Sequence, residues 1–185
     1  MSRQYRILLF VSVWLLAPRE LFAQVESGPP SGAALESLKA YAVTGDGAGQ
    51  VVNYTAQRKH RPTLYVFIQA DKWDRPVARF LRALDRGIAD RGDAQVIAVW
   101  LTRDVEKSKE YLSQVQNSVQ FQKTDLAVYQ GDTSGPPGWG INTDAFVTAV
   151  VAGDGKTIAS FGYRSVNETT APGVLSRLPP LLVGD

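Results

Sequence analysis

An α/β sandwich on a mixed central sheet is predicted by three observations on this chain of 185 residues. Thr63–Gln69 and Gln95–Thr102 are continuous apolar runs of strand length, rich in β-branched and aromatic residues, the pattern of strands buried on both faces. Each is followed by a segment whose apolar residues recur at helical spacing. Two more strand-like runs, Phe146–Ala152 and Thr157–Tyr163, flank Gly153-Asp154-Gly155-Lys156, a turn signal that makes them an antiparallel hairpin. Parallel strands joined by helices and followed by a hairpin bury their apolar faces as layers of helix on sheet.

Taken in order, Lys39–Val43 and Gln50–Tyr54 read as a hairpin around Gly45-Asp46-Gly47-Ala48-Gly49. Thr55–Arg61 is polar and reads as a short helical turn. After the central strand, Val77, Phe80, Leu81, Leu84 and Ile88 follow i, i+3, i+4 and i+7 spacing, an amphipathic helix ending near Asp90–Gly92, with Pro76 in its first turn. Asp104 opens a second helix, with Glu106 in its first turn and Tyr111, Leu112 and Val115 on one face, running to about Asn117. Leu126–Tyr129 is a short strand, and the glycine- and proline-rich stretch Gly131–Gly138 is a loop. Thr170–Leu182 reads as a terminal helix that Pro179-Pro180 can end early.

The start of the chain has a different character. Arg3 and Arg6 precede an apolar run, Ile7–Ala17, and a stretch ending Leu21-Phe22-Ala23. The run is about eleven residues against the roughly 20 of a spanning helix, so residues 1–23 read as a secretory signal peptide and the mature chain as lacking a stable membrane span. Retention of the segment as an anchor is the alternative, and either way the chain is exported, to the periplasm or the extracellular space. Residues 24–36 are rich in Ser, Gly and Pro and read as a flexible linker, leaving 37–185 as one domain. Arg3, Arg6, Arg19 and Glu20 all lie in the leader, so the remainder carries 17 basic and 17 acidic residues. That balance argues against a nucleic-acid partner.

The loop after the central strand carries a recognisable motif. Trp73-Asp74-Arg75-Pro76-Val77 resembles the Trp-Cys-Gly-Pro-Cys turn of thioredoxin-like proteins, and among these the exported redoxin group of the AhpC/TSA type. The resemblance spans roughly residues 37–180 and is carried by the strand Leu64–Ile68, by this turn opening a helix, and by the hairpin around Asp154-Gly155-Lys156. It implies a thioredoxin-like fold, a mixed central β-sheet flanked by helices, here with an N-terminal β-hairpin extension. In the family the first cysteine follows the tryptophan and the second sits three residues later. Those positions are Asp74 and Val77; Pro76 matches the proline between them, and Arg75 replaces a glycine. A peroxiredoxin-style register moves the comparison by a residue or two and still finds no sulfur. The family also has a cis-proline before the strand facing the turn, a position falling here at Ala145 or Phe146. A cis bond before a residue other than proline costs about 3 kcal/mol, so a trans loop is expected.

The chain contains no cysteine. Thiol–disulfide exchange proceeds through a thiolate, which no other side chain replaces, so that chemistry is excluded. Asp74 at a helix start reads either as an N-cap or as a fixed carboxylate holding a cation or polar ligand. Asp71 and Asp74, with Lys72 and Arg75 among them, read either as an acid–base group or as a neutralised turn. Arg75, Arg79, Arg82 and Arg86 form a stripe that is either a solvated face, with Asp85 and Asp90 close enough to pair, or a surface for acidic partners. His60 is the single histidine, so no metal site and no Ser–His–acid triad is built from it, and no cofactor is expected. Trp139 reads as core or as an exposed anchor on a loop. The leading expectation is a non-catalytic exported domain that binds a protein or peptide through Trp73–Val77, with Asp71, Lys72, Trp139, Ala145 and Phe146 as further contacts. The alternative is an enzyme of another class using Asp71 or Asp74 as acid or base beside Lys72 or Arg75.

Overall fold

The burial of the central runs on both faces is borne out strand by strand. In the computed structural model, which describes residues 24–179, the strand β4 (Thr63–Gln69) is buried along its whole length. Before it come β1 (Gln24–Val25), β2 (Lys39–Ala42), β3 (Val51–Asn53) and the short helix α1 (Tyr54–Arg58). After it come α2 (Arg75–Gly87), β5 (Gln95–Leu101), α3 (Val105–Val119), β6 (Thr124–Tyr129), β7 (Val147–Gly153), β8 (Lys156–Tyr163) and α4 (Ala171–Leu175). One eight-stranded sheet results, in the order β1-β8-β7-β4-β5-β6-β2-β3. β4, β5 and β6 are parallel, with Leu64 opposite Val96 and Ile68 opposite Trp100, and the remaining pairings are antiparallel. Residues 1–23, expected as a signal segment cleaved after Ala23, and residues 180–182 of the expected terminal helix lie outside the described residues.

The two faces are covered differently. Val77, Phe80, Leu81 and Leu84 of α2 with Ile88 just beyond it, Leu112 and Val115 of α3, and Ala171 and Val174 of α4 all pack on one face, against Leu64, Val66, Ile68, Val96, Ala98 and Trp100. On the other face Tyr65, Phe67, Ile97 and Val99 are covered by loops and by α1, with Tyr54 and Trp139 as the large side chains. Both long helices are capped as their sequences require: Asp74 Oδ1 accepts from Val77 N at 2.9 Å, and Asp104 Oδ1 from Lys107 N at 3.1 Å.

Several expectations need correction. Residues 24–36 form no loose linker. Gln24 and Val25 pair with Tyr163 and Gly162, and Gly32 N, Leu35 N and Gly28 N donate to Thr157 O, Gly155 O and Gly140 O, so the segment straps the outer edge of β8. An exposed edge strand offers a row of unpaired backbone groups, and these take them up. The terminal helix is one short turn, Ala171–Leu175, led by a 3₁₀ turn at Glu168–Thr170. Asp85 does not pair with the arginine stripe. It is buried, and its carboxylate accepts from Gln122 N, Lys123 N (2.8 Å) and Thr124 Oγ1 (2.8 Å), closing the connection from α3 into β6.

Candidate functional site

The turn Trp73–Val77 sits where the sequence placed it, between the carboxyl end of β4 and the first turn of α2, with a 3₁₀ turn at Ala70–Lys72 leading into it. Proline at the second helical position cannot donate a backbone N–H and need not, because that donor has no partner inside the helix. Val77 N, the donor that needs a partner, is met by Asp74. Asp74 therefore takes the capping role of the two it was given. Its backbone is extended, with φ −145°.

Trp73 is half-buried and held on two sides. Its ring tilts against Trp100 with centroids 4.8 Å apart, and its Nε1 donates to the hydroxyl of Tyr111 at 2.8 Å. Tyr111 was expected on the inner face of α3. Leu112 and Val115 do point inward, but Tyr111 stays 43% exposed and stands over the tryptophan from the rim. Nothing in sequence spacing joins positions 73 and 111; the only signal was an aromatic at the margin of the apolar face of α3.

Two separate clefts flank the turn. One, of about 480 Å³, runs between α2 and α3 and is lined by Trp73, Asp74, Arg75, Tyr111 and Val115 among others. The second, of about 710 Å³, lies at the carboxyl ends of β4 and β5 and is lined by Asp71, Lys72, Thr102, Arg103, Asp104 and Thr133 among others. Asp71 and Asp74 thus belong to different clefts and do not converge. Asp71 forms an exposed ion pair with Lys72 at 3.0 Å. The Lys72 ammonium also lies 5.3 Å from the centre of the Phe146 ring, and Gln69 N donates to Phe146 O at 3.0 Å. The loop before β7 therefore meets the turn through Phe146, while Ala145 beside it is buried. The described residues contain no cis peptide bond, as expected without a proline there.

Trp139 does not join this surface. It is fully buried on the opposite face of the sheet, with Tyr65 and Phe67 rings 5.1 and 5.0 Å away in edge-to-face contact. Of its two readings Trp139 takes the core one: its loop folds back over the face of β4 away from the long helices and uses the indole to fill it. His60 is also remote: it pairs with Asp154 at 3.0 Å on the surface beside the β7–β8 turn, at the other end of β4. No group of three or more His, Cys, Asp or Glu side chains placed to hold a metal ion occurs among the described residues.

A different polar cluster lies under the β2–β3 hairpin. Burial and the neighbouring Asp46 push the Asp125 carboxyl up to about 6, with the Gln95 side chain and Arg58 pulling the other way. The Arg58 guanidinium is itself buried, donating to Thr63 Oγ1 at 2.9 Å and to the carbonyls of Pro62 and Asp93. Gly45, at φ +83°, lies against the Asp125 carboxylate so closely that a β-carbon there would collide with it.

No family model matches the sequence, and no curated protein matches it. Solved structures do. A DsbF homologue from Corynebacterium diphtheriae superposes with a TM-score of 0.59 at 15% identity, over 86% of this chain and 95% of that one. A peroxiredoxin-like protein from Aquifex aeolicus gives 0.57 at 10% identity, over 83% and 91%. The exposed lipoprotein thioredoxin Etrx1 of Streptococcus pneumoniae gives 0.53 at 14% identity, over 77% and 100%. With the strand order, the capped turn and the hairpin already described, these likenesses establish that the chain has a thioredoxin-like fold, built from a sequence that contains no cysteine.

Proposed function

We propose that this chain is a non-catalytic, exported binding module on a thioredoxin-like scaffold, meeting a protein or peptide through Trp73–Val77 and the adjoining Phe146. The observation that carries the reading is the state of the turn itself. Its carboxylate at position 74 is spent on the helix N-terminus, and its tryptophan is propped by Trp100 and Tyr111 with part of the ring left open to solvent. Rigid, half-exposed aromatic rings contribute contact area at low entropic cost. Asp71 and Asp74 face different clefts, which weighs against the alternative of acid–base catalysis by this pair. Export rests on the leader-like residues 1–23 and agrees with a neighbour described as an exposed lipoprotein. No helix among the described residues is long and apolar enough to cross a membrane.

The test is site-specific photocrosslinking in the native envelope fraction. A photoreactive residue in place of Arg75 is expected to give a defined adduct, and the same residue in place of the exposed Lys156, at the opposite end of β4, is expected to give none. Identical adducts from both positions, or none from position 75, would overturn the reading.

A further inference from the structure

We propose that the tip of the β2–β3 hairpin, Gly45–Gly49, is a pH-responsive latch, seated on the Asp125 side chain while that carboxyl is protonated and lifted when it ionises. The latch is separate from the contact surface at Trp73–Val77 and stands or falls without it. Its hinges are in the backbone. Val43 N and Thr44 N both donate to Leu126 O, at 2.8 and 3.3 Å, and Leu126 N donates to Thr44 Oγ1 at 2.8 Å, so the hairpin is fastened to β6 as far as Thr44. Beyond Thr44 the backbone hydrogen bonds of the tip stay within the hairpin: Ala48 N to Gly45 O, Gly49 N to Ala42 O and Gln50 N to Gly47 O. Gly45 at φ +83° and Gly49 at φ +85° bound this stretch, both in the left-handed region that glycine enters and leaves at little cost.

What seats the tip is Asp125. A β-carbon on Gly45 would fall 2.4 Å from the Cγ and from both oxygens of the Asp125 carboxyl, so the glycine backbone lies directly against that group. Asp125 is half-buried and forms no ion pair among the described residues. Nor do the groups facing it from neighbouring elements offer one. Asp46, exposed at the tip next to Gly45, is a second carboxylate, and the Gln95 amide of β5 is neutral. On α1 the Arg58 guanidinium is committed to Thr63 Oγ1 and to the carbonyls of Pro62 and Asp93, and Arg61, Asp93 and Tyr65 act on Arg58. The Tyr54 hydroxyl, also on α1, is buried without a hydrogen-bond partner, and burial with the Asp125 charge pushes its pKa up, so it stays protonated. Ionising Asp125 thus places a charge in a covered site beside Asp46, and burial and Asp46 together hold the carboxyl up at about 6. Lifting the tip gives the carboxylate water and carries Asp46 away from it. With the carboxyl neutral there is nothing to relieve, and the tip stays seated.

Backbone ¹⁵N relaxation on the full chain, recorded from about pH 3.5 to about 7.5, tests the latch. The amides of Gly45–Gly49 are expected to have order parameters of about 0.85 at the acid end and below about 0.6 at the other, while those of Val96–Trp100 in β5 stay rigid throughout. The midpoint should fall between the ordinary carboxylate value of 3.8 and about 6, because ionisation and lifting are coupled. Asp125→Asn mimics the neutral carboxyl and should hold the tip rigid at every pH. His60, the single histidine, is retained in that variant, so its own titration is separated from the effect. A tip in the parent chain that is equally ordered across the range would overturn the proposal. So would a loss of order that persists in Asp125→Asn, or one shared by the β5 amides, which would mean general loosening rather than a latch.

Discussion

Asp125→Asn separates electrostatic from packing contributions in the loop-covered half of the molecule. In the folded chain the Asp125 carboxyl is pushed up to about 6 by burial and by Asp46, against an ordinary value of 3.8. The folded state therefore holds this proton more tightly than the unfolded chain does. Its stabilising effect is complete below about pH 4 and is lost as pH rises through about 6. At about 1.4 kcal/mol for each pH unit the gap corresponds to about 3 kcal/mol, and partial exposure of the carboxylate reduces the expected penalty to about 2 kcal/mol at pH 7.5. Asparagine keeps the shape and removes the charge. Urea unfolding of Asp125→Asn is accordingly expected to give a protein about 2 kcal/mol more stable than the parent at pH 7.5 and indistinguishable from it near pH 4. A difference that is the same at both pH values would refute an ionisation effect. A variant less stable than the parent at pH 7.5 would show that the carboxylate is held by partners that outweigh its burial.

The double substitution Asp74→Cys with Val77→Cys tests the register of the turn: the two thiols are expected to pair on mild oxidation, and the first to titrate below the free-cysteine value of about 8.5, read from alkylation rate against pH. The parent chain is expected to show no insulin-disulfide reduction above buffer. Asp85→Ala leaves two backbone N–H groups and a threonine hydroxyl without their acceptor, and should cost about 3 kcal/mol in chemical denaturation. Trp139→Ala should cost about 4 kcal/mol in the same experiment while leaving the crosslink from position 75 intact, since it empties the core on the far face of the sheet.

The parts of the fold legible in the sequence were those fixed by local pattern. Thr63–Gln69 and Gln95–Leu101 could hardly be anything but buried strands, and the cap at Asp74 follows from a short acidic side chain followed by proline at a helix start. The illegible parts depend on residues far apart along the chain. Asp85 looked like a surface charge because its partners lie 37 to 39 positions away and have no signature of their own. Residues 24–36 looked like a linker because their bonds run to a strand near the other end of the chain. Trp139 read as core or as an anchor because its loop lacks periodicity, and what buries it is a sheet face covered only by loops and the short α1. At the site the turn was readable and the groove was not, since its second wall is brought there by α3.

That loop-covered face has a consequence for how the molecule breathes. Helices on one side are locked into the sheet through many interleaved side chains, whereas the opposite side is closed by a cover fastened at separate points, Gly28 N to Gly140 O, Gln69 Nε2 to Thr133 O and Asn142 N to Ser27 Oγ. Such a cover can lift as one piece with the indole of Trp139 attached, leaving the helical layer in place. Amide hydrogen exchange would then divide the protein into two layers with different opening free energies, the loop layer exchanging first. The cleft beside Trp73, between α2 and α3, lies wholly on the slow side.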